Sequence, residues 1–164
     1  TMTPYELAQR IGFLLSQKKL KLAIVESCTG GSLAKLVTDV PGASEWFDCG
    51  FITYSNESKI RSVNVPEELI AQNGAVSQKV ALAMAKGGLD VTNADIVIST
   101  TGIAGPDGGS LEKPVGTVCF GFATKESYFS TDKQLFDGDR SKIREKSVIY
   151  SLECLCNYLE TGHF

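Results

Sequence analysis

The residues best equipped for chemistry stand where an apolar run ends. Leu20 to Val25 is largely apolar, with Lys21 as the exception, and it stops at Glu26-Ser27-Cys28-Thr29-Gly30-Gly31. At such a junction the Ser27 hydroxyl can face a pocket, which makes it the candidate nucleophile. A serine is a weak nucleophile until a base takes its proton. The only histidine, His163, is the penultimate residue, and a terminal segment is a poor place for a general base. A Ser-His-Asp triad is therefore set aside, and the base must be a lysine, a tyrosine or a carboxylate. The segment Tyr54-Ser-Asn-Glu-Ser-Lys59 offers Tyr54 and Lys59. Lysine serves as a base only where burial or a nearby cation lowers its pKa; otherwise it is solvated helix decoration. Cys28 is the rival nucleophile, stronger as a thiolate. Alternation along a strand would turn Ser27 and Cys28 to opposite faces, and a buried cysteine more commonly acts as a small hydrophobe.

Gly30-Gly31, just ahead of a helix, supplies backbone N–H groups at the positive end of a helix dipole. Such a turn can take a phosphate, or an oxyanion if a nucleophile stands beside it; it can also do no more than turn the chain. A second strand, Asp95 to Thr100, runs into another glycine-rich loop, Thr101-Gly102-Ile103-Ala104-Gly105-Pro106-Asp107-Gly108-Gly109. Neither loop is a Walker A motif or a dinucleotide fingerprint. Two loops at the carboxyl ends of strands nevertheless mark the place where open α/β sheets bind ligands. Arg140 opens the last helix, where a cation is badly placed for the dipole. It is suited to grip a phosphate or carboxylate, or to pair with Asp137 or Asp139 at the surface. Arg144, one turn on, competes for the same role, and Lys113-Pro114 could close the second loop or merely turn.

Periodicity and punctuation supply the elements that must position these groups. Thr3-Pro4-Tyr5-Glu6 reads as a capping box, with Leu7, Ile11, Leu14 and Leu15 on one face of a helix reaching about Lys18. Further helices are expected over Ser32 to Val40, Ser55 to Val63, Pro66 to Gln72, from a Ser77 cap to about Leu89, and from near Asp139 onward. Asp48 to Tyr54 reads as a strand, and Val115 to Ala123 with Tyr128 to Phe136 as a hairpin around Lys125-Glu126. The interleaving predicts an α/β fold, a single three-layer α/β/α domain with a mixed sheet over residues 1–164.

Composition narrows the function classes. The chain has 164 residues with 16 Lys+Arg against 19 Asp+Glu, a net charge of −3, so there is no clustered positive field for nucleic acid. No run of 18 apolar residues exists to span a membrane, and Thr1 to Glu6 shows neither the basic nor the apolar region of a signal peptide. A cytoplasmic chain is expected, with its five cysteines as free thiols and no structural metal, since Cys and His do not cluster. The apolar face of the last helix (Ile143, Val148, Ile149, Leu152, Leu155, Cys156, Leu159) permits a homo-oligomer.

Five co-linear segments carry a family resemblance: Glu26-Ser-Cys-Thr-Gly-Gly31, Thr53-Tyr-Ser-Asn-Glu-Ser-Lys59, Gly74-Ala-Val-Ser77, Thr101-Gly-Ile-Ala-Gly-Pro-Asp-Gly-Gly109 and Glu112-Lys-Pro-Val-Gly-Thr117. The chain resembles the CinA C-terminal domain family over nearly its whole length. The resemblance implies hydrolysis of nicotinamide mononucleotide (NMN) to nicotinic acid mononucleotide and ammonia, without a cofactor. It implies Ser27 as nucleophile with Tyr54 and Lys59 in a Ser-Tyr-Lys arrangement. Thr101 and Arg140 match positions lining the nucleotide site, so the expected substrate contacts are Thr29, Gly30, Gly31, Thr101, Gly102, Gly105 and Arg140. Val25 and Cys49 depart from the family's smaller residues at no chemical position. The N-terminal domain of longer CinA proteins has no counterpart in these residues. Two other readings stay open: a nucleotide-binding sensor or scaffold without turnover, and an amidase dependent on Cys28.

Overall fold

Alternation along one short strand organises the molecule. In the computed structural model, which describes residues 1–164, β1 (Leu22–Glu26) is buried throughout. Its side chains point alternately to the two faces of the sheet, as the pleat requires. Leu22 and Ile24 enter one core cluster; Ala23 and Val25 enter the other. β3 (Ile96–Gly102) repeats the pattern, with Ile96 and Ile98 on the first side and Val97 on the second. A strand buried on both faces reads as a continuous apolar run, which is why the sequence shows one at both places.

β1 lies between β2 (Phe47–Ile52) and β3, parallel to both. β4 (Thr117–Thr124) and β5 (Phe129–Leu135) continue the sheet antiparallel, giving the order β2-β1-β3-β4-β5. The helices α1 (Pro4–Lys18), α2 (Ser32–Thr38) and α6 (Arg140–Thr161) cover the first face. The second is covered by α3 (Asn56–Val63), α4 (Glu67–Asn73) and α5 (Gln78–Val91). This is the expected three-layer α/β/α fold with a mixed sheet. Its accessible surface is 8105 Å², close to the ~7,900 Å² that scales with this mass. No helix is long and apolar enough to cross a membrane.

Element boundaries shift where local signals are weak. β1 starts two residues later than expected and includes Glu26, while α2 stops at Thr38, before a single 3-10 turn at Ala43–Glu45. β2 ends at Ile52, so Thr53 and Tyr54 already belong to the loop, and β3 runs on through Thr101 to Gly102. Thr3 with Glu6 in a capping box and Ser77 cap α1 and α5 as expected, and Ser55 and Asp139 cap α3 and α6. The apolar face of α6 is used within the chain. Ile143, Val148, Leu152, Leu155, Cys156 and Leu159 lie in the core against α1 and the sheet, while Ile149 stays half-buried. All five cysteines are free.

The layer carrying α3 is set by close backbone contact. A Cβ placed on Gly87 of α5 would lie 1.7 Å from the carbonyl oxygen of Val63, the last residue of α3. Alanine in a helix interior normally gains about 1 kcal/mol over glycine, but here the clash decides the sign. Gly87→Ala is expected to destabilise the protein by about 1–3 kcal/mol, read as a lower urea midpoint; an unchanged or higher midpoint would contradict this packing.

Candidate active site

The connections from β1 and β2 leave on opposite sides of the sheet, β1 into α2 on one face and β2 into α3 on the other. In open α/β sheets the crevice outside the carboxyl ends of the strands is the usual ligand site, where the strand order turns, here between β1 and β3. Strand alternation then sorts the residues at the end of β1. Glu26 and Cys28 turn to the α2 and α6 side, and Ser27 turns to the α3 side.

Lys59 reaches Ser27 from α3. Its Nζ lies 3.0 Å from Ser27 Oγ, 2.8 Å from the carbonyl oxygen of Thr53 and 3.4 Å from that of Tyr54. Lys59 is only 1% exposed and Ser27 7%, and no carboxylate pairs with the lysine. Burial therefore disfavours the ammonium, and the Lys59 pKa falls from the usual 10.5 to about 8. In its neutral form the amine can give its two N–H bonds to the two carbonyls and keep its lone pair for the Ser27 hydroxyl, the geometry of a serine held by a lysine base. Thr53 is itself fixed, because its N–H and Oγ1 both donate to the carbonyl oxygen of Glu26, at 2.7 and 3.1 Å. The strand that presents Ser27 thus also presents the cradle of Lys59.

Cys28 is 4% exposed and belongs to the apolar core. Burial pushes its thiol up to about 12, with the charge of Glu26 acting in the same direction. The thiolate, the nucleophilic form of cysteine, is therefore disfavoured at this position.

Glu26, which sequence reasoning quoted only as part of a motif, is the organiser of the turn. Its side chain is buried and accepts from Thr29 Oγ1 at 2.5 Å, from the N–H of Gly31 and of Leu33 at 3.1 Å each, and from the N–H of Ala34 at 2.9 Å. A group that receives four donors and gives none is a carboxylate, and it sits where the dipole of α2 favours one. This corrects three expectations. The N–H of Gly31 is taken by Glu26, and that of Gly30 is taken by the carbonyl oxygen of Ser27 at 3.0 Å, so the glycine pair offers no donors to a phosphate or an oxyanion. The Thr29 side chain is fully buried between Glu26 and Thr100 and cannot touch a substrate. A charged residue closing an apolar strand was the available signal for such a cap.

The remaining expected residues divide. Thr101 is buried and donates to the carbonyl oxygen of Ala75 at 3.0 Å, which ties the α4–α5 turn to the end of β3. Gly102 packs so closely on β4 that a Cβ would lie 2.7 Å from Val118. Arg140 makes no ion pair with Asp137 or Asp139. Its guanidinium donates to the carbonyl oxygen of Gly105 at 2.8 Å and to the Tyr54 hydroxyl at 3.1 Å, bridging the two loops across the crevice. Tyr54 is 60% exposed, and its backbone carbonyl meets Lys59 while its phenol meets Arg140. Arg140 has no part in the lowered pKa of Lys59, which follows from burial. Lys113 donates to the carbonyl oxygen of Asn73 at 2.6 Å, closing the second loop onto α4. No three His, Cys, Asp or Glu side chains gather into a metal-binding group.

Comparison with known proteins bears on this arrangement. The family profile described as the CinA C-terminal domain matches residues 4–159. Nicotinamide-nucleotide amidohydrolase PncC of Escherichia coli strain K12 is 47% identical over 150 residues, 92% of this chain and 91% of the relative. A putative competence-damage inducible protein of Symbiobacterium thermophilum is 45% identical over 161 residues, 93% of this chain but 38% of that longer protein. The crystal structure of competence/damage inducible protein CihA from Agrobacterium tumefaciens superposes with a TM-score of 0.92 at 38% identity, covering 96% of both chains.

Glu26→Gln keeps the shape but removes the charge and turns an amide N–H₂ toward backbone donors. Hydrogen bonds to a charged group contribute roughly 1.5–3 kcal/mol each. The variant should lose about 2–4 kcal/mol of stability in urea unfolding, and a loss below about 0.5 kcal/mol would show that the charge is not what holds α2.

Proposed function

The chain belongs to the CinA C-terminal domain family, and from that membership we propose that it hydrolyses the carboxamide of nicotinamide mononucleotide, releasing nicotinic acid mononucleotide and ammonia through a serine acyl-enzyme. The observation that carries the reading is the buried contact between Lys59 Nζ and Ser27 Oγ, free of any carboxylate, in the crevice at the strand ends. The names of relatives that match this chain nearly end to end, nicotinamide-nucleotide amidohydrolases, support a nicotinamide nucleotide as the substrate.

In this reading neutral Lys59 takes the proton of Ser27 as Oγ attacks the carboxamide carbon. The resulting ammonium then protonates the departing nitrogen, ammonia leaves, and an ester joins Ser27 to the nicotinoyl group. Lys59, neutral again, takes a proton from water as it attacks that ester, and returns it to Ser27 Oγ. The Thr53 and Tyr54 carbonyls hold the amine in line through both half-reactions. Arg140 is exposed, bridges the loops and has no carboxylate partner. It is the group proposed to meet the 5′-phosphate, with the Tyr54 hydroxyl fixing its guanidinium at the mouth. The product re-enters pyridine-nucleotide synthesis, which makes the proposed role one of recycling.

Purified protein should release ammonia from NMN. Ser27→Ala should lower kcat at least about 1,000-fold, whereas Cys28→Ala should retain turnover. Binding of NMN without ammonia release by well-folded protein would favour a sensor instead. The free-enzyme profile of kcat/KM reports the essential base. Because Lys59 must be neutral and its pKa is about 8, activity should rise as pH increases through about 8 and level off above it. A profile flat from pH 6 to about 9.5 would remove Lys59 as the base.

A further inference from the structure

The turn that carries the nucleophile has a donor set and a clamp that the scheme above leaves unused. Gly30 N–H donates to the carbonyl oxygen of Ser27, so Ser27 to Gly30 form a hydrogen-bonded β-turn whose central peptide joins Cys28 to Thr29. The N–H groups of Ser27, Cys28 and Thr29 donate to no carbonyl or carboxylate. In a loop walled by buried side chains, the unpartnered amides of Ser27 and Thr29 call for an acceptor, whereas that of Cys28 faces its own thiol. The central peptide is also the one whose rotation separates type I from type II turns and reverses where its C=O and N–H point.

Arg144 holds that peptide. From α6 its Nε donates to the Cys28 carbonyl oxygen at 3.1 Å, and a terminal nitrogen lies 3.4 Å from the Thr29 carbonyl oxygen. The guanidinium packs so closely that a Cβ on Gly30 would lie 2.8 Å from it, and it pairs with no carboxylate. A trans peptide points its N–H opposite to its C=O. With the Cys28 carbonyl drawn toward the α6 layer, the Thr29 N–H is aimed toward the other layer, from which Lys59 approaches Ser27.

We propose that Arg144 is a positioning residue for catalysis: its grip on the Cys28 and Thr29 carbonyls aims the free backbone N–H groups of the Ser27 turn at the carboxamide oxygen, forming the oxyanion hole. The inference rests on the serine amidase reading and moves the oxyanion donors from the glycine pair to the residues immediately before it. Thr29 supports the same orientation, since it does not adopt the positive φ that the rotated turn requires. Arg144 adds a charged donor that no neighbouring side chain duplicates.

The test compares wild type, Ser27→Ala, Arg144→Ala and Arg144→Lys with NMN as substrate, measuring kcat, KM, the pH midpoint and thermal stability. Misplacement of about 1 Å in an active site can cost 100-fold, so Arg144→Ala should lose on the order of 10–100-fold in kcat with KM within about twofold. The pH midpoint should stay in place, and added guanidinium ion should restore part of kcat. Arg144→Lys, which keeps the charge without the planar fork, should fall between; if the alanine variant does not fold, the lysine variant decides by its kcat. Wild-type kcat in Arg144→Ala, or a raised KM with kcat retained, would overturn the inference while leaving the amidase reading intact. Absence of turnover by the wild type would overturn both, and turnover surviving in Ser27→Ala would overturn the amidase reading and this inference with it.

Discussion

Everything at the carboxyl end of the sheet depends on a carboxylate placed where solvent cannot reach it. Glu26 ends β1 and reaches into the start of α2, receiving three backbone N–H groups and the Thr29 hydroxyl. The first N–H groups of a helix have no partner within it, and a seven-residue helix such as α2 has little intrinsic stability to spare. The carboxylate answers both needs and sets the distance from the end of β1 to the helix. The Glu26 backbone works as hard as its side chain, because its carbonyl oxygen holds Thr53, whose own carbonyl receives Lys59. One residue therefore fixes the turn of the proposed nucleophile and the seat of its proposed base.

The internal anion also explains why this site is chemically unlike a phosphate loop despite its glycines. A helix N-terminus already saturated by a protein carboxylate has no donors left for a substrate anion and would repel one. Positive charge free to meet a substrate lies elsewhere, on the exposed Arg140, while Arg144, also from α6, is engaged by the Cys28 and Thr29 carbonyls. Lys59 is the third cation of the crevice, and burial without a counter-charge is what makes it suited to proton transfer. Such burial opposes the charged form, a cost that structural lysines avoid by reaching water. The remainder of the core, packed on both faces of the sheet, offsets it.

Glycine placement follows the same logic of close approach. Gly30 leaves room for the Arg144 guanidinium. Gly87 lets α5 meet the end of α3, and Gly121 of β4 lies directly under the Ala81 carbonyl, where a Cβ would come within 2.2 Å of the oxygen. These contacts set how far α3 stands from the sheet, and thereby whether the Lys59 side chain spans the gap to Ser27.

Much of this was legible in the residues themselves. Apolar runs, caps and period-two alternation are properties of near neighbours, so the order of elements, the separation of Ser27 from Cys28 and the candidates Ser27, Tyr54 and Lys59 could be read directly. The limits of β2 and β3 could not, since pairing partners set where a strand stops. Tertiary structure alone decided which polar groups meet. Lys59 and Ser27 are 32 residues apart, Arg140 and Tyr54 86, and Arg144 and Cys28 116. It turned Thr29 inward, drew the Tyr54 phenol to Arg140 and gave the glycine amides to Glu26 and Ser27. The physical reason is that each hydrogen-bonding group chooses among all partners the fold brings within about 3 Å, whereas sequence spacing constrains only those a turn or two away.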